Sequence, residues 1–218
     1  MKASLDTNVI IHFYRAGLQN ILFDVFAEDI LVYEQIRIVE LKNHGQDILK
    51  DVDADITAGK IKLITNQRLK NLSVYALFQN NVNENRQLYG TGDLGEVYAI
   101  SLAQTLGAYS LVTDDIKQGG PYMSLLQFND DVMPFDFTDV LLIRYLTDNA
   151  DEYQTVQDFH SINNASDLNW SFRSHMKRFI RRFFSDTYRE EDTEWIIKTT
   201  GKSRKKISEK LKVLNRLL

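Results

Sequence analysis

The sequence predicts an α/β fold: a three-layer α/β/α sandwich around a mainly parallel sheet, with a helical extension at the C-terminus. Short β-type apolar runs recur through the first two thirds of the chain, each followed by residues with helical periodicity, the alternation that crossover helices impose on a parallel sheet. One segment, Leu94 to Leu106, is apolar on nearly every side, as expected of a helix packed deep against such a sheet. The last third changes in charge and pattern and reads as helical throughout.

Five strands are expected, at Lys2–Leu5, Ile30–Tyr33, Lys60–Ile64, Ser110–Val112 and Met133–Phe137. Between them, Leu18, Ile21, Leu22, Val25 and Phe26 fall on one helical face, and Ile36–Leu41, Ile48–Ile56 and Leu69–Phe78 also read as helices. The chain has only two prolines, Pro121 and Pro134, so glycine and asparagine must supply most of its turns. After Asp151 the composition shifts, and "SINNASDLN" from Ser161 is polar and turn-like. We therefore expect a main domain over 1–150 and a basic helical extension over 151–218. In the extension, Phe172, Met176, Phe179, Ile180, Phe183 and Phe184 recur at helical spacing, with Lys177, Arg178, Arg181 and Arg182 projecting away from them. A second helical run places Ile207, Leu211, Leu214 and Leu218 on one face.

At 218 residues, 44% hydrophobic and 26% charged, the chain has the composition of a globular protein with one good core and an appendage. Its longest uncharged run, the 17 residues Val97 to Thr113, contains Gln104, Gly107 and Tyr109 and makes a poor membrane span. Asp6 and Asn8 interrupt the first apolar stretch, which is unlike a secretory signal. With no cysteine, thiolate zinc sites, disulfides and a cysteine nucleophile are excluded together, and a soluble, cytoplasmic protein with no membrane association is expected. The net charge of −4 hides an asymmetry: residues 1–167 hold 12 Lys and Arg against 24 Asp and Glu, and residues 168–218 hold 14 against 6. An acidic body fits a site crowded with carboxylates that needs cations to balance it.

Carboxylates recur where strands give way to helices. Asp6 follows the first strand in "SLDTNVII"; "SLVTDD" places Thr113, Asp114 and Asp115 after the fourth; "GDLGEVYAISLA" opens the apolar helix with Asp93 and Glu96; "YEQIRIVEL" offers Glu34 and Glu40 after the second. In an open α/β sheet these strand ends are where ligands gather. Each acid also has a purely structural use. Asp6 and Asp115 are helix N-cap types, Asp93-x-x-Glu96 matches a capping box, and Glu40 suits a solvated helix face. Four independent regions bringing acids to one end would repel unless a cation compensates. With hard oxygen donors, no cysteine, and His12, His44, His160 and His175 scattered without ligand spacing, that cation would be Mg²⁺ or Mn²⁺.

The order of these motifs resembles the PIN-domain ribonucleases, including the toxins of bacterial toxin–antitoxin pairs, over roughly residues 1–148. The resemblance implies a divalent-metal-dependent endoribonuclease whose catalytic and metal-binding acids fall on Asp6, on Glu40 (with Glu34 as the alternative), on Glu96 and on Asp115. Asp93 and Asp114 are their neighbours and competitors. Thr7, Asn8 and Thr113 would orient those carboxylates, or serve as turn and cap residues. The implied partners are an RNA substrate, an antitoxin or other inhibitor protein, and a second copy of the chain. The resemblance does not extend to the basic tail. There Lys177, Arg178, Arg181 and Arg182 either neutralise RNA phosphates or form the solvated face of a structural helix. Two other readings stand beside the nuclease. One is a non-catalytic module that binds nucleic acid or a partner protein with a residual acidic pocket. The other is a phosphotransferase of the haloacid-dehalogenase type, which wants an aspartate where Asn8 stands.

Overall fold

The computed structural model describes residues 1–89, 94–114, 132–185, 187 and 190–218. The chain divides into two compact units, Met1–Phe137 and Thr138–Leu218.

The first unit is an α/β/α sandwich on a five-stranded sheet. Strands β1 (Lys2–Leu5), β2 (Asp29–Tyr33), β3 (Lys62–Ile64), β4 (Ser110–Val112) and β5 (Met133–Phe135) are all parallel, in the order β3-β2-β1-β4-β5. All are short, and β1, β2, β4 and β5 are almost wholly buried, which is why they read as apolar runs rather than alternations, whereas Lys62 and Leu63 of β3 are only partly buried. The third begins at Lys62 instead of Lys60, because Lys60 reaches back to Asp55 at 2.9 Å from the turn that precedes it.

Helices α1 (Thr7–Arg15) and α2 (Asn20–Val25) join β1 to β2. After β2 the chain enters a π-helical segment, Ile36–Leu41, continued by the helical turn Lys42–His44, and then α3 (Leu49–Thr57). Sequence periodicity had suggested a single helix over Leu69–Phe78. Instead the chain forms α4 (Asn66–Asn71) and α5 (Tyr75–Tyr89), and Ser73 between them lies in the left-handed region at φ 59°. Apolar Leu72, Val74 and Leu77 mask the break, and two of them, Leu72 and Leu77, are exposed rather than buried. Helix α6 (Leu94–Leu106) buries Val97, Ala99, Ile100, Leu102 and Ala103, in keeping with its apolar circumference.

Within the second unit run α7 (Phe137–Leu146, whose first residue closes the first unit), α8 (Glu152–Ala165), α9 (Phe172–Ile180), α10 (Glu190–Thr200) and α11 (Arg204–Leu217). A π-helical segment, Arg181–Ser185, extends α9. The turn expected from Ser161 begins later, since Ser161 to Ala165 complete α8 and the chain leaves helix only at Ser166. Ile162 supplies the reason: it is fully buried and holds that last turn against the core, whatever the polarity of its neighbours. Asp151, Ser171 and Ser203 cap α8, α9 and α11 by accepting from backbone amides. Phe159, Phe172, Met176, Phe179, Phe183, Ile207, Leu211 and Leu214 form the buried core of this unit.

Candidate functional site

In the observed strand order the chain lays β2 and β3 to one side of β1, then returns to place β4 and β5 on the other. The strand order thus reverses between β1 and β4, and in open α/β sheets the carboxyl ends at such a reversal are where ligands bind. Asp6 follows β1 directly, Thr113 and Asp114 follow β4, and Asp136 follows β5. Two amide bonds carry the sheet pairing one residue further at this edge: Asp6 donates to the Val112 carbonyl at 2.9 Å and Thr113 to that of Phe135 at 2.9 Å. These residues are thus fixed by the sheet itself.

Asp6 is 1% exposed and caps α1, its Oδ1 accepting from the Thr7 amide at 2.6 Å. Its Oδ2 accepts from the Thr113 hydroxyl at 3.1 Å. One carboxylate thus joins the first helix to the adjacent strand end, and both contacts hold its plane. The Thr7 hydroxyl, one residue on, is buried without a hydrogen-bond partner among the described residues. Asn8 lies on the first turn of α1, partly exposed.

Asp114 faces a different set of groups. Its Oδ2 lies 2.5 Å from His12 Nδ1 and its Oδ1 accepts from the Phe137 amide at 2.8 Å. Burial pushes its carboxyl above the ordinary range; His12 pulls it back, and the nearby Asp136 charge adds to the rise. His12 meets the Phe137 ring edge-on at a centroid distance of 6.4 Å. Neither His12 nor Asp136 was singled out for the site from sequence. Asp136 repeats the strand-then-carboxylate pattern in "MPFD" and was legible by the same rule as Asp6. His12 carries no such signal, because only the packing of α1 beside the end of β4 gives it a carboxylate.

Glu96 occupies the first turn of α6 and is partly exposed. Two long-range bonds orient this helix against β1: Ser4 donates to the Ala99 carbonyl at 2.8 Å, and Lys2 to the Leu106 carbonyl at 3.0 Å. Helix and strand therefore run in opposite directions. The turn carrying Glu96 lies toward the carboxyl end of β1, where Asp6 stands. Glu40 sits on the π-helical segment, its side chain 24% exposed, with Oε2 4.0 Å from Nε2 of His44. Glu34 is spent on α4, where its Oε1 accepts from the Asn66 amide at 3.0 Å while Tyr33 donates to Asn66 Oδ1 at 2.8 Å. Asp93 and Asp115 lie outside the described residues. Among the described residues, no group of three or more His, Asp or Glu gathers closely enough to hold a metal ion.

The four basic residues expected to project from the apolar stripe differ in exposure. Arg182 is largely buried, within 3.3 Å of Asp139 and over the Phe183 ring at 5.1 Å. Arg178 contacts His175 Nδ1 at 2.8 Å. Lys177 and Arg181 are exposed.

Comparison of the chain with protein-family models, with curated proteins and with solved structures gives no match to any of them. No helix among the described residues is long and apolar enough to cross a membrane.

Proposed function

We propose that the chain is a divalent-metal-dependent endoribonuclease of the PIN type, acting at the carboxyl edge of its sheet. The observation that carries this reading is the placement of buried Asp6 at the point where the strand order reverses, with Thr113 beside it and the Glu96 turn of α6 directed to the same edge. The donor set suits Mg²⁺ or Mn²⁺: these carboxylates are hard oxygen ligands, and the buried Thr7 hydroxyl next to Asp6 has no hydrogen-bond partner among the described residues. Asp6, Glu96 and Asp115 would hold the ion, with Glu40 joining them or orienting the attacking water. When bound, a divalent ion supplies charge neutralisation at the scissile phosphate and acidifies a water.

The chain's own residues then have defined tasks. The Thr7 amide and Thr113 hydroxyl hold the Asp6 carboxylate in one orientation, so no reorganisation is needed as charge develops. His12 and the Phe137 amide hold the Asp114 carboxylate at the end of β4. The test is RNA cleavage by the purified chain with Mg²⁺ or Mn²⁺ and with chelator. Asp6→Asn and Glu96→Gln should each abolish the metal-dependent rate, falling at least 100-fold in a typical case of a lost electrostatic contact, while far-UV circular dichroism stays that of the wild type. Cleavage by Asp6→Asn at the wild-type rate would reduce Asp6 to a helix cap and remove the proposal.

A further inference from the structure

In the second unit, a groove of about 420 Å³ runs between α11 and α9 with its π-helical extension. Met176, Ile180 and Leu211 form its apolar lining together with the ring of Phe184, and Lys177, Arg204 and Lys212 stand around it. Its volume falls in the range of small-ligand sites. No carboxylate lines it among the described residues. Lys177 and Lys212 have no ion-pair partner among those residues, in contrast to Lys202 and Lys210, which both hold Asp148. Arg204 packs over the Phe184 ring at 6.0 Å and donates to the Phe184 carbonyl, so guanidinium and ring share one wall.

We propose that this groove binds single-stranded nucleic acid, one base entering against Phe184 and the aliphatic lining while Lys177, Lys212 and Arg204 neutralise the flanking phosphates. The alternation of apolar and cationic groups around the groove suits a ligand that joins a flat apolar face to an anion every residue. A partner helix would instead need a continuous apolar trough. Ser208 and Asn215 add groups that both donate and accept, as base edges require. Of the four basic residues Lys177, Arg178, Arg181 and Arg182, Lys177 lines this groove, which draws its other cations from the second helix. That the strand is RNA rests on the nuclease reading; that a single strand binds here does not.

The experiment follows the fluorescence anisotropy of labelled twelve-nucleotide oligouridylate and oligothymidylate with the full chain, in chelator, over a series of salt concentrations. Chelator removes metal-dependent cleavage from the measurement, so its failure is separate from the failure of the nuclease proposal. Wild type should bind both, with oligouridylate ahead if RNA is the natural strand. The double variant Lys177→Gln, Lys212→Gln should bind at least tenfold more weakly at low salt and lose about 1.4 units of the log–log salt slope, two contacts at about 0.7 each. Phe184→Leu should weaken binding while leaving the slope unchanged. Melting temperatures of both variants establish that they fold. No binding by wild type at low salt, or a folded double variant with the wild-type affinity and slope, overturns the proposal. So does displacement of neither oligonucleotide by the other alongside displacement by an acidic leucine–glutamate peptide, which would assign the groove to a protein.

Discussion

Asp6 is at once a helix cap and a candidate ligand. Its cap contact with the Thr7 amide uses one oxygen and the contact with Thr113 the other. The two uses do not compete, because a carboxylate offers about four acceptor sites. A second aspartate shows how position changes the chemistry of the same residue type. Asp148 is exposed, adopts φ 63°, and accepts from Lys202 and Lys210, which hold its carboxyl down at about 2 from an ordinary 3.8. Since the folded value lies below the unfolded one, the contact contributes stability that is fully present above the ordinary value and is lost as pH falls through about 2. Asp148→Asn keeps a residue that tolerates the left-handed backbone and removes only the charge. Its melting temperature should lie below that of the wild type at neutral pH, by a small amount because the site is exposed. The difference should shrink between about pH 4 and pH 2. A difference independent of pH across that range would mean that the two lysines do not act through the charge of Asp148.

Among the elements, the strands were legible because a strand buried on both faces leaves a bounded apolar run, and each of the five expected runs contains a strand, though the third starts two residues later and the fifth ends two residues earlier, at Phe135, where Phe137 already opens a helix. The helix break at Ser73 and the late end of α8 at Ala165 were not legible. In both places the local composition pointed one way and tertiary burial another: Leu72 and Leu77 are apolar but exposed, and Ile162 sits in a polar run but is buried. Strand order cannot be read from periodicity at all, so the reversal beside β1 that makes Asp6 prominent became visible only in the fold. The apolar stripe of α9 and its π-helical extension is the clearest case of agreement. Phe179 and Phe183 are 1% and 0% exposed, with ring centroids 4.7 Å apart, and Phe183 also stacks on Trp195. Phe179→Ala or Phe183→Ala should each cost about 3–5 kcal/mol by leaving a cavity in this core. Chemical denaturation of each variant, with the slope of unfolding free energy on denaturant unchanged, checks the value. A loss below about 1 kcal/mol would show that the rings are not packed as a core.

Over the whole molecule, the segregation of charge sets a condition on any cation effect. Residues 1–167 carry 24 Asp and Glu against 12 Lys and Arg, so any salt relieves some self-repulsion there. Specific binding must therefore be separated from screening. A divalent ion held as proposed by Asp6, Glu96 and Asp115 would stabilise the folded chain through mass action, about 2.7 kcal/mol at a concentration a hundredfold above its dissociation constant. For a chain of this length that is a rise of roughly 5–10 °C in melting temperature. Sodium chloride at matched ionic strength should give a much smaller rise, since it screens without occupying a site. Asp6→Asn should abolish the extra increment from Mg²⁺ or Mn²⁺ while keeping the response to sodium chloride. In chelator, the proposed site predicts that Glu96→Gln melts at or above the wild type, because acids brought together there would repel one another with no ion to offset them. Equal responses to Mg²⁺ and to sodium chloride would leave the acids as a diffuse surface charge, and the sheet edge would have no cation site.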